Sequence, residues 1–149
     1  MNLKQLNILH VDDDTDDCIF FKEALAELNL PTHHTSVQDG DELMKYLANE
    51  ANELPHVMFL DLNMPRKNGS ECLLEIKSND RLKQITIIIF STSFDPEVVN
   101  MLYKNGAHYY IRKPSDFRQF KKIIQLAFMS LIAQNTIAQP IKENFVLTI

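Results

Sequence analysis

Two apolar periods alternate along the chain. Residues 6–11, 57–60 and 85–90 are short runs dominated by Leu, Ile, Val, Met and Phe, which predicts strands covered on both faces. Residues 109–112 also predict a strand, whereas 33–37 has little apolar content and predicts one at a sheet edge. Between these runs apolar residues fall three and four apart: Phe21, Leu25 and Leu28; Leu43, Met44 and Leu47; Leu73, Leu74 and Ile76. The last and longest such series is Phe117, Phe120, Ile124, Ala127, Phe128 and Leu131. Such spacing marks the buried face of a helix. The boundaries agree with it. Thr15 can cap the first helix, with Asp16 and Asp17 in its first turn, Asp39-Gly40 opens the second helix, and Asp95-Pro96 opens the fourth, where proline gives up an amide hydrogen that has no partner. The first helix is expected to run to about Asn29, the third to end near Ser78, and the fourth at Asn105-Gly106.

Five strands alternating with five helices imply an α/β fold with a parallel sheet, right-handed crossovers and helices on both faces. All strands then end on one edge, where such sheets bind ligands. Four of those ends carry chemistry: Asp12, Asp13 and Asp14 after the first strand, Asp61 after the third, Ser91-Thr92-Ser93 after the fourth, and Lys113-Pro114 after the fifth. Taken alone, Asp61 equally begins a turn or caps a helix. Together these charges would repel or desolvate one another unless a cation and an anion sat between them, which suggests Mg²⁺ and a phosphate. A carboxylate attacks phosphorus poorly because both are negative, and a metal with Lys113 lowers that repulsion. Asp61 is the candidate nucleophile.

Composition adds bounds. The 149 residues, 45% hydrophobic and 23% charged, suit one domain with a substantial core. A net charge of −5 without a basic cluster argues against direct nucleic-acid binding and against an anionic membrane surface. Residues 1–5 lack the apolar core of a signal peptide and no run is long enough to span a bilayer, so a cytoplasmic protein is expected. Cys18 and Cys72 lack metal-type spacing and read as two reduced thiols. The expected organisation is a body of residues 1–133 and a tail of residues 134–149, broken by Pro140, with no separate output domain. On the last helix Leu126, Met129 and Ile132 form a second apolar stripe, and the tail ends in Phe145, Val146, Leu147 and Ile149. Exposing both would leave a large patch. Either the tail folds back over its helix, or the stripe meets a second copy or an output partner.

The motifs resemble those of the receiver domains of two-component response regulators, most simply the stand-alone chemotaxis type, over about residues 6–131. They are the acid pair Asp12-Asp13, Asp61-Leu62-Asn63-Met64-Pro65 followed by Gly69, the hydroxyl of Ser91, and Lys113-Pro114. The resemblance implies the flavodoxin-like strand order 2-1-3-4-5. It also implies that Asp61 accepts a phosphoryl group from a histidine kinase or phosphotransfer protein, assisting its own phosphorylation and dephosphorylation without being an enzyme in the usual sense. Mg²⁺ would be bound by Asp13, Asp61 and the Asn63 backbone carbonyl, with Asp12 acting through a water. Ser91 and Lys113 would each hold a phosphoryl oxygen, and Tyr110 would be the switch aromatic whose ring turns inward as Ser91 moves. A cis Lys113–Pro114 peptide is implied as well, and the last two helices with the fifth strand form the face where output partners, or a homodimer, are expected.

The chain departs from that family in three places. Ser91 replaces the commoner threonine, Thr92 is larger than the usual neighbour, and His10 lies inside the first strand where an aliphatic residue is usual. A lone interior histidine reads first as a hydrogen-bonded core residue. Two alternatives remain open: a receiver-fold adaptor that works without phosphorylation, and an aspartate-nucleophile phosphatase of the haloacid dehalogenase type. The second fits only in part, since Asp16 stands where that family wants threonine or valine.

Overall fold

Each strand of the sheet sends alternate side chains to opposite faces, and the helices follow from that division. The computed structural model describes residues 5–134 and 139–148; residues 1–4, 135–138 and 149 lie outside, and with them most of the amino-terminal stretch and the Ile149 end of the tail. In order come β1 (Leu6–Val11), α1 (Thr15–Ala26), β2 (Thr32–Val37), α2 (Gly40–Ala48), β3 (Val57–Leu60), α3 (Gly69–Lys77), β4 (Thr86–Ser91), α4 (Pro96–Lys104), β5 (Tyr109–Arg112) and α5 (Phe117–Gln134). A two-residue strand, β6 (Val146–Leu147), closes the series. The sheet order is β2-β1-β3-β4-β5-β6 and every pairing is parallel. The expected order 2-1-3-4-5 is therefore present, with a sixth strand added at the β5 edge.

One face of the sheet packs Leu9, Val11, Met58, Leu60, Ile87, Ile89 and Tyr110 against α2, α3 and α4. The other packs Ile8, Phe59, Ile88, Phe90 and Ile111 against Phe21 and Leu25 of α1 and Phe120, Ile124 and Phe128 of α5. Every residue of β3 and β4 is buried, as uninterrupted apolar strands require, while β2 is half-exposed at its edge. The caps differ in one place from expectation. Asp14, rather than Thr15, caps α1 by accepting from the Asp17 amide, and α1 ends at Ala26, short of Asn29. Asp39, Asn68 and Asp95 cap α2, α3 and α4, with Pro96 at the first helical position of α4. Among the described residues no helix is long and apolar enough to cross a membrane.

The tail is where sequence and structure part. Val146 and Leu147 lie in register with Tyr110 and Ile111, and the Tyr110 amide donates to the Phe145 carbonyl at 2.9 Å. Phe145 is buried edge-on against Tyr103 of α4, whose hydroxyl donates to the Pro140 carbonyl at 2.9 Å. Gln139 donates to the carbonyls of Tyr103 and Ala107, both at 2.7 Å. The chain thus folds back onto α4 and the β5 edge and meets α5 at one end of the stripe only: Leu126 and Leu147 are partly buried against the same cluster, while Met129 stays 67% exposed and Ile132 37%. A bare β5 edge would leave backbone groups without partners, and the tail supplies them. Phe145→Ala should accordingly lower stability by about 3 kcal/mol through lost burial, read as a lower urea midpoint. An unchanged midpoint would show the tail to be a passive extension.

Candidate functional site

The parallel ladder runs one residue past the strand ends, and that sets the site. The Asp12 amide donates to the Val37 carbonyl at 3.1 Å, the Asp61 amide to Val11 at 3.0 Å, and the Lys113 amide to Ser91 at 2.7 Å. Asp12, Asp61, Ser91 and Lys113 are thereby held at one rim, with Asp13 beside them. Behind Asp61 the chain turns sharply into α3. The Gly69 amide donates to the Leu62 carbonyl at 3.0 Å, and a side chain on Gly69 would collide with the Asp61 carbonyl. Arg66 sits in the left-handed region at φ 68°, spanned by a bond from the Lys67 amide to the Pro65 carbonyl at 2.8 Å. That conformation is costly for a residue with a Cβ.

Lys113 is the hub of the charges. Its Nζ lies 2.6 Å from Asp12 Oδ2, 2.9 Å from Asp17 Oδ2 and 3.7 Å from Asp61 Oδ2, and its side chain is only 4% exposed. Burial opposes the charge on Lys113, but the Asp12 bond and the neighbouring carboxylates outweigh it and push its pKa up. Burial likewise opposes ionisation of Asp12, and the adjacent His10 ring, 3.5 Å away, together with the Lys113 bond reverses this, leaving its carboxyl below the usual range. Asp61 goes the other way. Burial is the largest cause, the more distant lysine compensates only in part, Asp12 and Asp13 add repulsion, and its pKa is pushed up to about 7 despite the Asn63 amide that donates to it. The Lys113–Pro114 peptide is trans, which corrects the cis geometry implied by the family resemblance. Trans is the ordinary preference before proline, and the long lysine side chain reaches the carboxylates without the inversion.

Asp12, Asp13 and Asp61 each offer an oxygen, and these lie within 4.8 Å of one another. Three hard donors, one of them the Asp61 carboxylate that burial has left poorly compensated, fit a divalent cation. Asn63 follows in the exposed loop after β3. Ser91, fully buried at the end of β4, pairs its hydroxyl with that of Ser93 at 3.1 Å. The Tyr110 ring is already inside, buried and edge-on to Phe94, with its hydroxyl donating to the Ser93 carbonyl. His10 is a core residue as expected, stacked on Phe21 with centroids 4.1 Å apart, but it is not hydrogen-bonded. Its Nε2 lies 3.5 Å from Asp12 Oδ2. Two partners escaped the sequence reading. Ser93 could have been found from the Ser-x-Ser spacing, whereas Asp17 looked the same as Asp16 beside it.

Comparison with known proteins agrees with this geometry. The model of the family described as response regulator receiver domain matches residues 8–125. The chain belongs to that family. It is 30% identical over 122 residues to response regulator Rcp1 of Synechocystis sp., covering 79% of this chain and 83% of that one. The crystal structure of the phosphorylated cyanobacterial phytochrome response regulator RcpA superposes with a TM-score of 0.80 at 32% identity, covering 89% of this chain and 96% of that one. The Mn²⁺-bound form of Rcp1 gives a TM-score of 0.79 at 28% identity, covering 91% and 99%. Membership of the receiver family sets aside the haloacid dehalogenase alternative.

The raised pKa of Asp61 has a sign that stability measurements can check. The folded receiver keeps this proton to about pH 7, while an unfolded aspartate loses it near 3.8, so the folded state binds more protons between these values. The contribution of Asp61 to stability is therefore complete at low pH and is lost as pH rises from the lower value through the upper one. With chelator present, the stability of Asp61→Asn minus that of wild type should grow across this window and then level off. A difference that does not vary with pH would refute the shift.

Proposed function

We propose that this receiver is a phosphorylation switch of a two-component phosphorelay, with Asp61 as the residue that takes the phosphoryl group from a histidine kinase or phosphotransfer protein. The observation that carries the reading is the placement of Asp61 at the rim, 3.7 Å from the Lys113 ammonium and among the oxygens of Asp12 and Asp13. In the transfer an Asp61 carboxylate oxygen forms the new bond to phosphorus, the phosphorus–nitrogen bond to the donor histidine breaks, and the electron pair returns to the imidazole. Lys113 leaves part of its carboxylate shell to pair with a phosphoryl oxygen, and Ser91 trades its bond with Ser93 for one to another. Asp13, Asp61 and the Asn63 carbonyl would hold Mg²⁺, with Asp12 reaching it through a water, and the ion when bound neutralises charge on the equatorial phosphoryl oxygens.

Because Ser91 and Tyr110 share Ser93, a shift of the Ser91 hydroxyl reaches the aromatic ring through one residue. The readout is then a change at the surface formed by α4, β5 and α5, now edged by β6. An output protein or a second copy of the chain would meet it there. The protein acts as a cytoplasmic phosphoacceptor that assists its own phosphorylation and hydrolysis, and it turns over no added substrate. Incubation with acetyl phosphate and Mg²⁺ should add one phosphoryl group by intact mass. Asp61→Asn or excess chelator should abolish the gain. An undiminished yield in either would overturn the assignment.

A further inference from the structure

Lys113 is engaged where the proposed reaction needs it free. An ammonium has three donors, and the two short contacts of Lys113 go to Asp12 and Asp17, leaving Asp61 the most distant carboxylate. The two near partners are not equivalent. Asp12 is fully buried, accepts from the Asp14 amide through its other oxygen, and belongs to the group of three acids whose oxygens converge. Once Lys113 withdrew, it would be a buried charge without its cation, which is strongly unfavourable. Asp17 is 20% exposed, stands outside that group of acids, and sits in the first turn of α1, where the helix dipole supports a carboxylate. It can be rehydrated when the lysine leaves.

We infer that Asp17 is a positioning residue that holds Lys113 back from the acceptor, and that phosphorylation proceeds by exchange of the Asp17 carboxylate for a phosphoryl oxygen on the lysine ammonium. This rests on Asp61 being the phosphoacceptor. No bond is made or broken in the exchange: one ion pair opens and another closes. Asp17 then sets how readily the site accepts a phosphoryl group, and it does so without touching that group or the metal ligands. The neighbouring Asp16 provides the control, being an exposed carboxylate of the same first turn.

The test compares Asp17→Asn, Asp17→Glu and Asp16→Asn with wild type. The rate of phosphorylation by acetyl phosphate with Mg²⁺ is one readout, and half-saturation by beryllofluoride, followed by fluorine NMR, is the second. Asp17→Asn should raise the rate and tighten beryllofluoride by about twofold to fivefold, the size expected for one partly exposed ion pair. Asp17→Glu should restore the wild-type values. Asp16→Asn, which removes the same charge, should change neither. In metal-free protein the side-chain nitrogen resonance of Lys113 should shift in Asp17→Asn alone. Equal effects of Asp16→Asn and Asp17→Asn would reduce the role to general charge repulsion and overturn the inference. A slower Asp17→Asn would overturn it too, by showing that the pair holds Lys113 ready for transfer. A wild-type protein that takes neither phosphoryl nor beryllofluoride would instead sink the reading of Asp61 itself.

Discussion

A single ammonium compensates three carboxylates at the rim of the sheet, and the behaviour of the site depends on how unequally it does so. Asp12 and Asp61 lie at the ends of neighbouring strands in similar burial, yet their pKa values move in opposite directions. Two neighbours separate them: His10 stands 3.5 Å from Asp12, and Lys113 is hydrogen-bonded to Asp12 but 3.7 Å from Asp61. Interaction between charges in a buried site changes steeply over such a gap, because direct contact adds a charge-assisted hydrogen bond to the Coulomb attraction. His10 and the lysine thus fix Asp12 as the ionised member, and the longer reach of the lysine leaves Asp61 short of positive charge. Binding of a cation by such a carboxylate releases its proton and relieves the cost of its burial.

The backbone around these groups is built for closeness. Gly69 lets α3 start against the Asp61 carbonyl, and Arg66 accepts a left-handed conformation so that the chain can leave β3 and enter that helix within a few residues. Strain of that kind persists only where the surroundings fix it. Here they do so on both sides: Asn68 and Glu71 form a reciprocal cap on α3, and the Lys67 amide closes the turn onto Pro65. The loop that bears the candidate acceptor is therefore held at its far end by helix capping and at its near end by the sheet.

Asp12, Asp61, Ser91 and Lys113 were legible in the sequence because a strand end has only one place to be once the sheet is parallel. Asp17 was not. Adjacent positions on a helix point about 100° apart, since 3.6 residues make a turn, and which of Asp16 and Asp17 faces the rim depends on how α1 rolls against Phe59 and Phe120. That rotation is a property of packing, with Phe21 fixed between His10 and Phe59. His10 shows the same limit from the other side. Its burial followed from the strand pattern, but the absence of a hydrogen-bond partner depends on ring stacking that no local pattern encodes. The sixth strand was missed for a third reason: two residues have no period, and their pairing is decided by the free edge they meet.

That edge ties the tail to Tyr110. Tyr110 gives its amide to Phe145 in the tail and its hydroxyl to Ser93 in the loop after β4, so one residue joins the added strand to the end of the strand that carries Ser91. Phe94 covers the ring from one side, and Phe145 joins it in the same apolar cluster. The backbone of Tyr110 is thus held by the tail and its hydroxyl by the loop after β4. A continuous path of hydrogen bonds therefore runs from the tail through Tyr110, Ser93 and Ser91 to the rim where Asp61 lies.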